Sequence, residues 1–380
     1  MRGMWSIAMR AVRSTPHPAR WAGLFASLAL ATTLPLAAQT HFPADSLVRE
    51  IVRPHVAPGE GVGIVVGLIE ADGTRRFITV GEPAVEGRAL DANTVFEIGS
   101  ITKTFTGILL AEMAERGEVR LNEPVAALLP DSVRTPSRAG REITLLDLAT
   151  QSSGLPRLPT NMRPANVGNP YADYGVDMLY AFLAEYELTR DVGEMYEYSN
   201  LGVGLLGHAL ALRADTSYEA LVRARILEPL GMASTAIVLD DALRSRLAPG
   251  HNALGQVVPN WDLPTIAGAG ALRSTATDML AYLAANLDPP DSALGRAIHR
   301  SHEPRVATDN PDLRVGLAWH MLSAFDRTIV WHNGGTGGYR SMLAFDGDRG
   351  IGVVMLTNSN RGVDDIALHL LEPRIPLPTR

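Results

Sequence analysis

Residues 61–70 (GVGIVVGLIE) are apolar and rich in β-branched side chains, and residues 75–80 resume the pattern after Ala71-Asp72-Gly73-Thr74. Two such runs across a Gly- and Asp-containing turn predict a β-hairpin. Strand-like runs return at 315–321, 328–332, 339–345 and 351–357, separated by Gly- and Asp-rich turns, and a short helix is predicted at about 363–371. In the middle of the chain the period changes. Ile101, Phe105, Ile108, Leu109 and Met113 share one face of a predicted helix that Gly117 stops. Strands at both ends with helices between predict an α+β fold: one antiparallel sheet built from the two termini, carrying an inserted helical region. The expected sheet lobe covers about 45–95 and 310–380, and the helical lobe about 96–309. A cleft between such lobes is a common place for a site. No repeat of solenoid period is present.

The first 38 residues read differently from the rest. Arg2, Arg10, Arg13 and Arg20 form a basic stretch without an acidic residue, an apolar run follows at 21–36, and Ala37 and Ala38 precede Gln39. The run is short and Pro35 interrupts it, so a secretory signal at 1–38 is expected, cleaved near Ala38, with a mature domain at 39–380. The expected location is periplasmic or secreted. Loss of those four arginines takes the formal charge from −7 to −11. An acidic chain with no basic run is a poor partner for nucleic acid or anionic membranes. No obligate protein partner is indicated.

Composition narrows the chemistry. There is no cysteine, which excludes disulfides, thiolate nucleophiles and Cys-ligated zinc. The ten histidines contain no H-E-x-x-H, and the close pair His299 and His302 reads as core or surface, so neither metal nor cofactor is expected.

Residues 96–107 read FEIGSITKTFTG. Ser100 opens the predicted helix, and Lys103, three positions on, lies on the same face. A serine hydroxyl becomes a useful nucleophile when a neighbouring base takes its proton. Lysine can be that base once burial or nearby charge lowers its pKa, whereas arginine stays protonated. Lys103 is the only lysine among 34 basic side chains, the other 33 being arginine. A compositional preference for arginine has therefore left one lysine, three residues after a serine.

Two further elements belong with this pair. Tyr198-Ser199-Asn200 offers a phenol that can shuttle protons when a cation lowers its pKa, and an amide that can orient substrate or cap the helix beginning near Leu201. Trp331-His332-Asn333-Gly334-Gly335 closes a predicted strand on glycines, where an extended substrate can approach the backbone and a main-chain N–H can face an oxyanion. Other matches fail on context. Residues 202–207 (GVGLLG) fit G-x-G-x-x-G, but a charged segment precedes them instead of a buried strand, so small residues packing a helix are expected. Residues 118–122 (EVRLN) read as the turn after the nucleophile helix, and no G-x-S-x-G occurs.

S-x-x-K, then Y-x-N about a hundred residues on, then H-x-G near the C-terminus resembles the pattern of class C β-lactamases and their relatives. Those relatives include D-Ala-D-Ala carboxypeptidases, D-amino-acid amidases and family VIII carboxylesterases. The likeness extends to ITLLDLAT at 143–150, SGLP at 153–156, EPLGM at 228–232 and GAGALRST at 268–275. The resemblance implies a β-lactamase/transpeptidase-like fold. It also implies catalytic roles for Ser100 (acylated nucleophile), Lys103 (proton acceptor or electrostatic tuner) and Tyr198 (acid/base for the leaving group and deacylating water). Asn200 would contact the substrate amide, and the N–H groups of Ser100 and Gly335 would form an oxyanion hole. His332, Asn333, Gly334 and Gly335 would line the substrate. His332 stands where the lactamases carry lysine, and Asn333 where they carry threonine. A histidine is fully charged only when protonated, which leaves recognition of a substrate carboxylate open, with Arg340 and Arg361 as candidates. The expected activity is hydrolysis of a small acyl substrate, β-lactams first. A D-Ala-D-Ala carboxypeptidase or a carboxylesterase on the same scaffold is the alternative, and a non-catalytic binding protein of the same fold a third.

Overall fold

Eight strands pair antiparallel throughout in one sheet, in the order β2-β1-β8-β7-β6-β5-β4-β3. They are β1 (Gly63–Ile69), β2 (Arg75–Gly81), β3 (Val306–Ala307), β4 (Leu313–Val315), β5 (His320–Ala324), β6 (Arg327–Gly335), β7 (Arg340–Asp346) and β8 (Ile351–Thr357). The structure is a computed structural model that describes residues 40–56, 61–82 and 88–377. The expected secretory signal at 1–38 lies outside the described residues.

The hairpin expected from 61–80 is β1–β2. Its first strand also pairs with β8 in register Ile64 with Thr357 through Ile69 with Gly352, so the sheet joins the two ends of the chain. All seven residues of β1 and of β8 are buried, as strands covered on both faces should be. Alternate side chains serve two cores, because successive residues of a strand point to opposite faces. Ile64, Val66, Leu68, Met342, Ala344, Val353 and Met355 pack with α1 (Asp45–Val52) and the C-terminal helix. Val65, Ile69, Leu343, Phe345, Val354 and Leu356 face the inserted helices. The helices used below are α2 (Thr102–Glu115), α3 (Asn200–Arg213), α4 (Ala276–Leu287), α5 (Ala293–Ser301) and α6 (Asp364–Leu371).

The helix expected from Ile101 to Met113 is α2, but its periodicity understates its burial. Every residue from Thr102 to Met113 is buried, so the helix runs through the core instead of lying on it. Its polar side chains are satisfied there. The Thr104 hydroxyl lies 2.9 Å from the Tyr282 hydroxyl, and the Thr106 hydroxyl 2.7 Å from that of Tyr218. Phe105 stacks on Tyr282 at 4.0 Å.

The strand expected at 315–321 is corrected by the structure into the ends of two strands. The Gly316 N–H donates to the Trp319 carbonyl at 2.9 Å, and Ala318 takes a left-handed φ of 62°. That turn puts the Trp319 indole into the core beside Tyr282. A buried aromatic thus overrides an unbroken apolar run. The glycines at 202–207 pack a helix as expected: a Cβ on Gly204 would meet Ile266, and one on Gly207 would lie 3.0 Å from the Gly268 Cα.

Candidate active site

Phe96 and Glu97 pair with Ser274 and Arg273, and the chain then turns through a short 3-10 segment, Gly99–Ile101, into α2. Gly99 has φ +49°, and a Cβ there would lie 2.6 Å from the Gly335 nitrogen. Only glycine permits both the conformation and the approach. A Cβ on Gly334 would collide with the Ile98 carbonyl, which also accepts the Ser341 hydroxyl at 2.8 Å. The end of β6 is therefore pressed against the turn carrying Ser100. This contact brings the Ser100 turn and the Gly335 main chain together.

Lys103 follows one helical turn later and is wholly buried. Its Nζ lies 2.9 Å from Ser100 Oγ and 2.5 Å from the Ala269 carbonyl. Burial, and then the nearby Arg157 charge, push its pKa well below the usual lysine value. Desolvation disfavours the ammonium, so the neutral amine gains population. That amine can keep an N–H on Ala269 and turn its lone pair to the Ser100 hydroxyl.

Tyr198 completes the cluster. Lys103 Nζ lies 5.0 Å from its ring centroid, and the guanidinium carbon of Arg157 lies 4.9 Å from it. The sequence suggested that a cation would lower the phenol's pKa. The net shift is upward instead, because burial outweighs the opposing effects of the Ser100 hydrogen bond and Arg157. At rest the phenol keeps its proton, so Lys103 is the better placed base and Tyr198 the better placed acid.

Asn200 is the first residue of α3, and its amide faces the Tyr171 phenol. It is not the helix cap. Ser199 caps α3, accepting the Gly202 N–H at 2.8 Å, while its hydroxyl donates to the Pro156 carbonyl at 2.7 Å. The shorter Ser199 side chain, one position earlier, meets the cap geometry and leaves the Asn200 amide turned toward the site.

On β6, His332 is wholly buried, with Nδ1 2.6 Å from the Asn333 carbonyl and no hydrogen-bond partner at Nε2. Its ring centroid is 6.3 Å from that of Tyr198 and 5.0 Å from that of His320. Burial, then the His320 and Lys103 charges, hold its pKa well below the usual histidine value. Its surroundings therefore favour the neutral imidazole over the charged one. The Asn333 amide donates to the Asp364 carboxylate at 2.6 Å, tying β6 to α6. Arg340 is also committed, its Nη1 donating at 2.9 Å to both the Thr336 and Tyr339 carbonyls. The Arg361 main-chain N–H donates to Ser359 Oγ, and among the described residues no contact joins Arg361 to Ser100, Lys103 or Tyr198.

Three features of the site were not drawn from the sequence. His320, on the strand next to β6, lies 3.1 Å from the Tyr196 hydroxyl through Nε2, and burial lowers its pKa to about 4. Arg157 sits over Tyr198. Glu97, two residues before the turn, accepts the Trp261 N–H at 2.9 Å and pairs with Arg273 at 3.3 Å. Trp261 and Arg273 line a groove of about 850 Å³ that none of Ser100, Lys103, Tyr198 or His332 enters, so Glu97 fixes its wall to the nucleophile strand. Among the described residues no group of three or more His, Cys, Asp or Glu side chains is placed to hold a metal ion. His302, of the histidine pair, lies 2.8 Å from Asn286 Oδ1 and packs edge-on against Trp319.

The comparisons with known proteins identify the family. The beta-lactamase family model matches residues 48–372. The chain is similar to a beta-lactamase of Escherichia coli K12, 26% identical over 353 residues, covering 83% of this chain and 89% of that protein. It is similar to the D-alanyl-D-alanine-carboxypeptidase/endopeptidase AmpH of the same organism, 27% identical over 344 residues, covering 83% and 87%. Among solved structures, a class C beta-lactamase from Rhodobacter sphaeroides aligns with TM-score 0.71 and 25% identity, over 87% of this chain and 97% of that one. A beta-lactamase/D-alanine carboxypeptidase from Pseudomonas syringae aligns with TM-score 0.73 and 21% identity, over 87% and 98%, a likeness of fold. With a matching family model over most of its length, and relatives and a solved structure that agree with it, the chain belongs to the beta-lactamase family of serine hydrolases.

Proposed function

We propose that the protein hydrolyses β-lactams through an acyl-enzyme on Ser100. The observation that carries this reading is the 2.9 Å contact between Ser100 Oγ and the wholly buried amine of Lys103. The Lys103 lone pair takes the Oγ proton as Oγ attacks the lactam carbonyl. The carbonyl oxygen becomes an oxyanion held by the N–H groups of Ser100 and Gly335. When the C–N bond breaks, the protonated Tyr198 phenol gives its proton to the leaving nitrogen and recovers one from the Lys103 ammonium. A water then attacks the ester carbonyl and loses a proton to the Tyr198–Lys103 pair, and Ser100 leaves with its hydroxyl restored. Asn200 and the β6 edge orient the substrate. The leader expected at 1–38 from its basic and apolar runs supports action outside the cytoplasm, which N-terminal sequencing of the protein recovered from its host tests.

One observation favours a second reading. Burial holds the His332 pKa well below its usual value, so β6 lacks the fixed cation that would favour a carboxylate, and this supports a carboxylesterase acting on uncharged esters. Likeness to a D-alanyl-D-alanine-carboxypeptidase/endopeptidase supports a D-Ala-D-Ala carboxypeptidase on the same scaffold. The purified mature protein is to be assayed with a chromogenic cephalosporin, a short-chain p-nitrophenyl ester and a D-Ala-D-Ala peptide, beside Ser100→Ala. Cephalosporin turnover and a penicilloyl adduct on the Ser100 peptide by mass spectrometry are expected. Ester turnover without cephalosporin turnover overturns the lactamase reading. Activity unchanged in Ser100→Ala overturns the mechanism.

A further inference from the structure

Two of the cationic groups expected on the C-terminal strands are already engaged in the fold. His332 is sealed in the core, and Arg340 spends Nη1 on two main-chain carbonyls. Lys103 is buried against Ser100 and Ala269. Arg157 differs from all three. It is exposed, and its guanidinium lies over the Tyr198 ring, beside the nucleophile and its base. Among the described residues no carboxylate pairs with it.

Its position is fixed by the main chain. The Arg157 carbonyl accepts the N–H groups of Asn200 at 3.0 Å and Leu201 at 3.2 Å, and the Pro156 carbonyl accepts the Ser199 hydroxyl. The first turn of α3, which follows directly on Tyr198, therefore holds the loop that carries the guanidinium. The staple fixes the Arg157 main chain beside Tyr198, and the guanidinium lies over the Tyr198 ring. The planar fork of a guanidinium matches a carboxylate bidentately, and here no protein carboxylate competes for it.

We propose that Arg157 is the specificity-determining residue that receives a carboxylate of the acyl substrate, on the loop side of Ser100 instead of at β6. This rests on Ser100 being the acylated nucleophile.

The test uses phenylboronic acid and 3-carboxyphenylboronic acid, which capture a nucleophilic serine without turnover. Binding is measured by calorimetry on the mature wild type and on the Arg157→Met, Arg157→Lys and Ser100→Ala variants. The readout is the ratio of the two affinities, which a general loss of site structure does not move. The carboxylate is expected to favour binding to the wild type about tenfold, as a charge-assisted hydrogen-bonded pair does. The ratio should fall to near one in Arg157→Met and recover in part in Arg157→Lys. It should also shrink in about 0.5 M salt, because the group is exposed. A wild-type ratio near one, or the same ratio in Arg157→Met, overturns the assignment and leaves the Ser100 reading standing. If neither compound binds the wild type, or both bind Ser100→Ala equally well, the Ser100 reading falls and this inference with it.

Discussion

The start of α2 and the end of β6 each bury a nitrogen base beside the same tyrosine, and they treat it in opposite ways. Lys103 is given two acceptors, Ser100 Oγ and the Ala269 carbonyl. His332 is given only the carbonyl of its own neighbour, and its Nε2 has no partner. Both are wholly buried, and burial lowers the pKa of both. For the lysine this favours a neutral amine in contact with the Ser100 hydroxyl. For the histidine it removes a charge and leaves a flat, neutral wall. Ser100 and Lys103 thus keep the residue types of the lactamase pattern, and position 332 departs from it.

Four experiments probe that contrast. Ser100→Ala removes the atom that Lys103 serves, and turnover should fall by about 10⁴-fold or more, measured in single-turnover assays. Loss of less than tenfold would mean the α2 start is not the reactive region. Next, Lys103→Met and Lys103→Arg should each slow acylation by about 10³-fold, the scale of a lost general base. The arginine variant also overpacks a sealed site, lowering stability by about 1–3 kcal/mol in urea titration. Near wild-type acylation in either variant would transfer the base role to Tyr198.

Gly334→Ala tests the contact between the two regions. Its Cβ would strike the Ile98 carbonyl, so β6 must move away from the serine turn. A stability loss of about 3 kcal/mol is expected, with lower kcat as the Gly335 N–H leaves the oxyanion position. A variant that melts and turns over like the wild type would show that the two regions do not depend on each other.

The smallest effect concerns the histidines. His320 has a folded-state pKa of about 4 against 6.5 when free. The unfolded chain therefore gains a proton that the folded chain refuses as pH falls from about 6.5 to about 4. Stability is lost across that window and levels off below it. Between pH 7 and 4.5 the wild type should lose about 2 kcal/mol more than His320→Gln, at 1.36 kcal/mol per pH unit. Parallel pH dependence in the two proteins would show that His320 is hydrated and free to titrate.

Much of this site is legible in the sequence because its residues are close along the chain. Ser100 and Lys103 share a face by simple helical spacing, and Gly334 and Gly335 announce a close backbone approach. The hairpin at 61–80 follows from alternation and a turn. What stays hidden depends on contacts between distant segments. The fate of His332 is decided by burial under neighbouring strands, and the upward shift of Tyr198 by a balance of desolvation against charge. Arg157 lies in a loop without periodicity, and only its hydrogen bonds to Asn200 and Leu201 place it. The run at 315–321 looks continuous until Trp319 is seen to need the core. Ser199 rather than Asn200 caps α3 because one position decides which side chain reaches Gly202.

The pairing of β1 with β8 has a consequence for how the molecule comes into being. The Thr357 hydroxyl bonds the Gly63 carbonyl 294 positions away, and the Asn358 side chain accepts the Gly63 N–H at 2.9 Å. Such long-range pairings are slow to form. At about 5–20 residues per second, synthesis occupies tens of seconds before the last strand emerges. Throughout that time β1 has only β2 beside it, and Gly99 has no Gly335 to close against. The contact between the Ser100 turn and the end of β6 thus forms as one of the last events in the life of the nascent chain.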